Sequence, residues 1–238
     1  MKMLRMLTLT EARLLLREPL AFFWGVAFPM VLLTVMGLSA SSIDGVSLVA
    51  VYEPIVIAFI SVAFGVQGIP VQIAGYRQGR ILRRLATTPA GPARVIGAQL
   101  IVSLAVIPIA TIGVLAVGRL GFGVPLPRQP LGFALVVILS AAAMVAVGLL
   151  IGALAPNPRS AGAAATVLFF PLMYFAGLWT PQMSASAKNI GQYTPLGAAT
   201  QALHSSMTGG WPHPAAFAVL IGCALVCAGL AARFFRWD

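Results

Sequence analysis

The sequence predicts an all-α, polytopic membrane protein with six transmembrane helices, on three observations. Hydrophobic residues make up 60% of its 238 positions and charged ones 8%, and the mean hydropathy is +0.97. A soluble chain of this size has no interior large enough to hide so much apolar surface. The apolar residues gather into six runs, each long enough to cross the roughly 30 Å hydrocarbon core of a bilayer. Basic residues sit at the ends of those runs, so the net charge of +10 points to membrane topology and not to nucleic acid. The chain reads as one membrane domain over 1–238, without a soluble module, long-period repeat or low-complexity tract.

Residues 1–19 read as an interfacial lead-in. Leu4, Leu7, Leu14 and Leu15 share a helical face opposite Arg5, Arg13 and Arg17, although Glu11 and Glu18 fall on the leucine side. The first span is expected at 20–40. Its lead-in is too long and acidic for a signal peptide, so it reads as retained. An acidic connection with Asp44 and Glu53 leads to the second span, 54–75. The arginine-rich stretch 76–94 follows, then spans at 95–117 and 131–154, joined by a Gly- and Pro-rich connection. "APNPRS" (155–160) makes a tight turn into the fifth span, 161–180. The connection 181–212 contains "PLGAATQALHSSM", expected as a short helix at or in the outer leaflet, buried against protein. The last span is 213–233.

Orientation follows from the basic residues. With a cytoplasmic N-terminus, twelve of the fifteen lie inside, and only Arg119, Arg128 and Lys188 lie outside. Both termini and the 76–94 loop are therefore expected at the cytoplasmic face. Arginine outnumbers lysine 13 to 2, which fits a GC-rich bacterial genome.

Soluble-type chemistry finds little to work with. There is no GxxxxGK[ST] for ATP and no GxSxG. His204 and His213 sit in or beside the outer connection, away from any nucleophile within a span. Cys223 and Cys227 lie on one helical face, where small residues serve packing; two thiols complete no metal site. Trp179 and Trp211 read as outer-interface residues. Gly148 and Gly152 match the small-xxx-small pattern for close helix approach.

Ion-coupled transport normally needs ionisable groups within the membrane. Glu53 comes nearest, with two readings: solvated at the outer mouth of the second span, or part of a substrate path. Gln67, Gln72 and Gln99 are neutral polar residues near or within the second and third spans. They either line a path or satisfy one another between helices. The protein thus has a route through the membrane and no evident energy source.

The stretch "YRQGRILRRLATTPAGPAR" (76–94) holds five arginines. On a helix, Arg77, Arg80 and Arg84 line one side, and Ile81, Leu82 and Leu85 form an apolar side. Thr87 and Thr88 follow, and Pro89 biases the chain away from helical geometry. One reading is anchoring to anionic lipid. The other is a docking knob, an apolar ridge with Arg80, Arg83 and Arg84 around it, seated in a soluble partner.

"YRQGRILRRLATTP" resembles the loop between spans two and three of type-2 ABC permeases, an export family that includes daunorubicin-resistance permeases. Leu82, Arg84, Leu85, Thr88 and Pro89 carry the match; Gln78 stands where the family usually has an acid, and Gly79 comes one place early. "FFPLMYFAGLWTP" (169–181) resembles the end of the family's fifth span, and "YTPLGAATQAL" (193–203) its segment before the last span. The resemblance implies a second permease chain, as homodimer or heterodimer, and a separate ABC ATPase that holds ATP and Mg; this chain itself binds no cofactor. It implies that the cytoplasmic loop helix sits in a groove of the ATPase. The function so implied is a permease subunit of an ATP-driven exporter, without its own ATPase site. Its expected cargo is hydrophobic or amphipathic: a drug, antibiotic or lipid-like compound. The alternatives are an ion-coupled secondary transporter and a non-transporting membrane assembly subunit.

Overall fold

The computed structural model describes residues 10, 22–39, 42–43, 46–79, 92–179 and 184–235. Most are helical. The first apolar helix, α1, is Phe23–Leu38. A two-residue hairpin follows, β1 (Ser42–Ile43) against β2 (Val46–Ser47), antiparallel with Ser42 opposite Ser47. Then come α2 (Leu48–Gln78), α3 (Pro92–Phe122), α4 (Pro130–Leu154) and α5 (Pro158–Ala176). The short helices α6 (Ala185–Gly191) and α7 (Pro195–Thr208) precede α8 (Pro214–Phe234). Among the described residues five helices are long and apolar enough to span a bilayer; the stretch Phe23–Leu38 of α1 covers about 24 Å at 1.5 Å per residue.

The helix starts are written locally. Prolines stand in the first turn of α4, α5, α7 and α8, where a missing N–H costs nothing. Asn157 accepts from the Ser160 N–H at 2.8 Å while Ser160 Oγ accepts from the Asn157 N–H, a reciprocal cap that starts α5. Thr194 caps α7 through the Gly197 N–H, and His213 Nδ1 caps α8 through the Ala215 N–H. At the far end of α5, Gly177 takes φ 91°, a left-handed residue that stops the helix.

The largest boundary difference is in α2. A span starting at Pro54 was expected, because Glu53 interrupts the apolar run. The helix instead begins at Leu48, with Ser47 Oγ accepting from the Ala50 N–H at 3.4 Å. Pro54 lies inside it. At its other end α2 continues through Tyr76 and Arg77, the first residues of the arginine-rich stretch. The other five apolar helices fall within a few residues of the expected spans.

Chain direction alternates through the bundle. The start of α1 meets the second half of α2, with Gly25 against the Phe64 ring. The start of α2 meets the end of α3, and the end of α2 meets the end of α4 and the start of α5. We call the latter the Arg77 end. At the opposite end lie α6 and α7, and α7 buries Leu196, Ala199, Ala202 and Leu203 against the bundle.

The core is built on α2 and α4. The apolar stretch of α2 is 78% buried, against 17% for α8. Gly65 of α2 faces the Met144–Val145 peptide of α4, and Gly148 faces the Gly65 carbonyl. Gly152 faces Pro70 and Ile73. The glycine pair of the sequence is thus the seam where two backbones touch. One helical level away, Ser140 Oγ donates to Ser61 Oγ at 2.9 Å, a buried interhelical bond contributing about 0.6 kcal/mol by membrane precedent. Large residues such as Ile109, Ile112, Leu225 and Val226 point outward, as they do where lipid replaces water.

Candidate functional site

A cavity of about 930 Å³ lies between α1, α2, α3 and α5. From α1 it takes Trp24, Phe28, Leu32 and Met36, spaced by four and therefore on one helical face. From α2 come Tyr52, Phe59, Phe64, Gln67 and Gln72, and from α3 Gln99, Val102 and Ser103. Phe169 of α5 and Trp179 just beyond it complete the far wall.

Aromatic rings run through this wall as a continuous strip. Trp24 meets Phe28 at a centroid distance of 4.8 Å, Phe28 meets Phe59 at 5.5 Å, and Phe59 meets Phe169 edge-on at 6.0 Å. Phe169 contacts Phe170, which stacks on Trp179 at 6.3 Å. Offset and edge-on pairs at these separations are each worth about 0.5–1.5 kcal/mol beyond area burial. The strip runs from Trp24, level with the middle of α2 where Gly25 meets Phe64, to the end that carries α6.

Two π-helical stretches border the cavity: Phe23–Ala27 in α1 and Ala63–Gly68 in α2. They meet where Gly25 admits the Phe64 ring; a Cβ on Gly25 would stand 2.6 Å from one ring carbon. Widened turns of this kind re-aim side chains and recur at functional sites. Here the second one carries Phe64 and Gln67 to the cavity.

The polar lining is neutral. Gln99 Nε2 donates to Gln72 Oε1. Gln99 Oε1 is buried and has no partner among the described residues. All three glutamines singled out from the sequence, Gln67, Gln72 and Gln99, line this one cavity, on the Arg77 side of Phe59.

Glu53 does not line it. The side chain is 2% exposed, which removes the solvated reading. It packs between α2 and α3 against Gly118, where a Cβ would land on Oε1. Its Oε2 has no partner among the described residues. We expect Gly118→Ala to cost about 1–3 kcal/mol and to lose most of that cost in a Glu53→Ala background. A thermal-stability double-mutant cycle in detergent reads the coupling; additive effects would mean the two do not touch.

Arg77 is held by the bundle. Its guanidinium donates to the Ala153 carbonyl at 3.3 Å and to the Ala155 carbonyl, closing the end of α4 and the turn into α5. The expected surface row of Arg77, Arg80 and Arg84 therefore loses its first member to an internal contact. Arg80, Ile81, Leu82, Arg83, Arg84, Leu85, Thr88 and Pro89 lie outside the described residues, as does the 1–19 lead-in apart from helical Thr10.

Sequence reasoning passed over Trp24, Phe28, Phe59 and Phe169. The signal for the first two was present, since Trp24, Phe28, Leu32 and Met36 repeat every four residues. Trp179, read as an interface residue, is both half-exposed and part of the cavity wall.

The sequence model of the family described as ABC-2 type transporter matches residues 3–208. Among curated proteins none matches the chain.

Proposed function

The chain belongs to the ABC-2 type transporter family, and we propose that it is the permease half of an ATP-driven exporter that carries hydrophobic or amphipathic compounds out of a bacterial cell. Family membership makes it a membrane-spanning subunit of an ABC-type transporter. On our reading, two such chains pair, and a separate ABC ATPase binds ATP and Mg beneath them. Both termini and the 76–94 stretch face the cytoplasm. There Ile81, Leu82 and Leu85, flanked by Arg80, Arg83 and Arg84, dock on the ATPase before the Thr88-Pro89 stop. ATP-driven closure of the ATPases then shifts the population between inward- and outward-facing states.

The observation that carries this reading is the cavity. It is within the range of small-molecule sites, roughly 300–1,000 Å³, mostly apolar with a few polar groups, and it runs along the helix that leads into the arginine-rich stretch.

The test is purification of the tagged chain from its native membranes in mild detergent. A P-loop ATPase should co-elute, identified by mass spectrometry, with ATP hydrolysis that vanadate inhibits. Leu82→Asp, Arg84→Glu and Leu85→Asp should reduce that co-elution at least tenfold while membrane insertion is unchanged. An eluate without any ATPase would overturn the reading. Variants that alter only orientation would assign the stretch to lipid anchoring.

A further inference from the structure

We propose that the cavity is a binding site for uncharged amphiphiles that carry at least one O–H or N–H donor. The donor-bearing end sits among Gln67, Gln72, Gln99 and Ser103, and a flat apolar body lies along the aromatic strip. The inference rests on the transport reading for the fate of the ligand and stands apart from it for binding itself.

Charge comes first. The chain has fifteen basic and five acidic residues, yet among the described residues no Asp, Glu, Lys, Arg or His lines the cavity. Glu53, the nearest acid on α2, is turned to α3 and packs against Gly118. An ion entering this space would lose its hydration and meet no counter-charge, a penalty of several kcal/mol per ion even after relaxation. Cationic and anionic ligands are disfavoured alike.

Hydrogen bonding comes second. Amides stripped of water need partners, and an unmet one calls for an explanation. Gln99 Oε1 is a buried acceptor without one, while its Nε2 is spent on Gln72. Gln67 and Ser103 make no hydrogen bond to another described residue, although Ser103 is buried. The unmet acceptor asks for a ligand donor, and Gln67 offers both functions.

Shape comes third. Gln67, Gln72, Gln99 and Ser103 lie toward the Arg77 end, and Phe28, Phe59, Phe169 and Trp179 continue toward the other, where Tyr52 is the one hydroxyl among the described lining residues. That polarity orients the occupant with its donor-bearing head nearer the Arg77 end. Flat rings stack on such a wall better than flexible alkyl chains do.

The experiment uses the full chain in lipid nanodiscs and three probes that differ only in the head: 1-pyrenebutanol, 1-pyrenebutyrate and 1-pyrenebutylamine. Energy transfer from Trp24 and Trp179 to bound pyrene reports occupancy, with empty nanodiscs subtracted. The alcohol should bind at least tenfold more tightly than either charged analogue. Gln99→Leu and Gln67→Leu should each weaken the alcohol about fivefold, one hydrogen bond's worth. Phe59→Ala should weaken all three. Equal binding of the three heads, tighter binding of a charged one, no binding at all, or glutamine variants indistinguishable from the parent would each overturn the proposal. No ATP or ATPase is present, so failure here leaves the transport reading standing, and loss of the ATPase partner leaves this result standing.

Discussion

Gly148→Ala should be recovered, if at all, as aggregated protein, while Gly222→Ala behaves like the parent chain. The added methyl group at 148 would fall on the Gly65 carbonyl oxygen, whereas nothing lies within 4 Å of a Cβ at Gly222. Overpacking commonly costs about 1–3 kcal/mol when side chains can move aside. Here the obstacle is main chain inside the α2–α4 seam, so we expect about 3 kcal/mol or more. The effect should be graded. Gly65→Ala meets the Met144 carbonyl carbon at 2.5 Å and should be nearly as harmful; Gly152→Ala meets Pro70 Cα at 3.3 Å and should be milder. Melting followed by size-exclusion chromatography in detergent gives the order. Equal stability of the 148 and 222 variants would show that α2 and α4 are not packed through these glycines.

Arg77→Ala has the second large expected effect, and it is on coupling more than on folding. The side chain joins the last turn of α2 to the carbonyls of Ala153 and Ala155. The α2–α4 seam holds the same two helices together further up. A displacement of the 76–94 stretch would therefore reach α4 and the tight turn into α5 at once. Without the guanidinium those carbonyls lose charged donors, at about 1–3 kcal/mol, and the end of α2 is freed. In vesicles holding the permease with its ATPase, we expect Arg77→Ala to lower transport about tenfold and to leave ATP hydrolysis and ATPase co-purification near parental levels. Arg77→Lys should recover only part, since an ammonium lacks the planar fork that reaches two acceptors. If co-purification falls instead, Arg77 acts as a contact to the ATPase.

How far the sequence carried differs between elements for physical reasons. Spans three to six were readable to within a few residues because their limits are set by local chemistry: Pro130, Pro158 and Pro214 at helix starts and Gly177 at an end. The start of α2 was not. A hydropathy run ends at a carboxylate, but the helix continues through Glu53 because α3 supplies Gly118 to cover it. Arg77 shows the same limit. Its acceptors lie 76 and 78 residues away, and nothing in the local pattern separates an arginine facing water from one that closes another helix. The glutamines read together as lining a path or bonding between helices; that they share one cavity, with Gln99 bonded to Gln72, depends on how α2 and α3 pair. The aromatic strip was half legible, since the α1 repeat is periodic, while its continuation to Phe59 and Phe169 crosses between helices.

The paired widened turns at Phe23–Ala27 and Ala63–Gly68 bear on how such a gene can change length. A π-turn bonds each residue five places on where an α-turn bonds four, so each stretch holds about one residue more than the same helix needs. Loss of a single codon there would tighten the coil and leave the faces beyond it in phase. The same loss within 54–60 would turn every later side chain of α2 by about 100°. Natural length variation in this helix should accordingly collect beside the cavity, where it reshapes the lining and spares the scaffold.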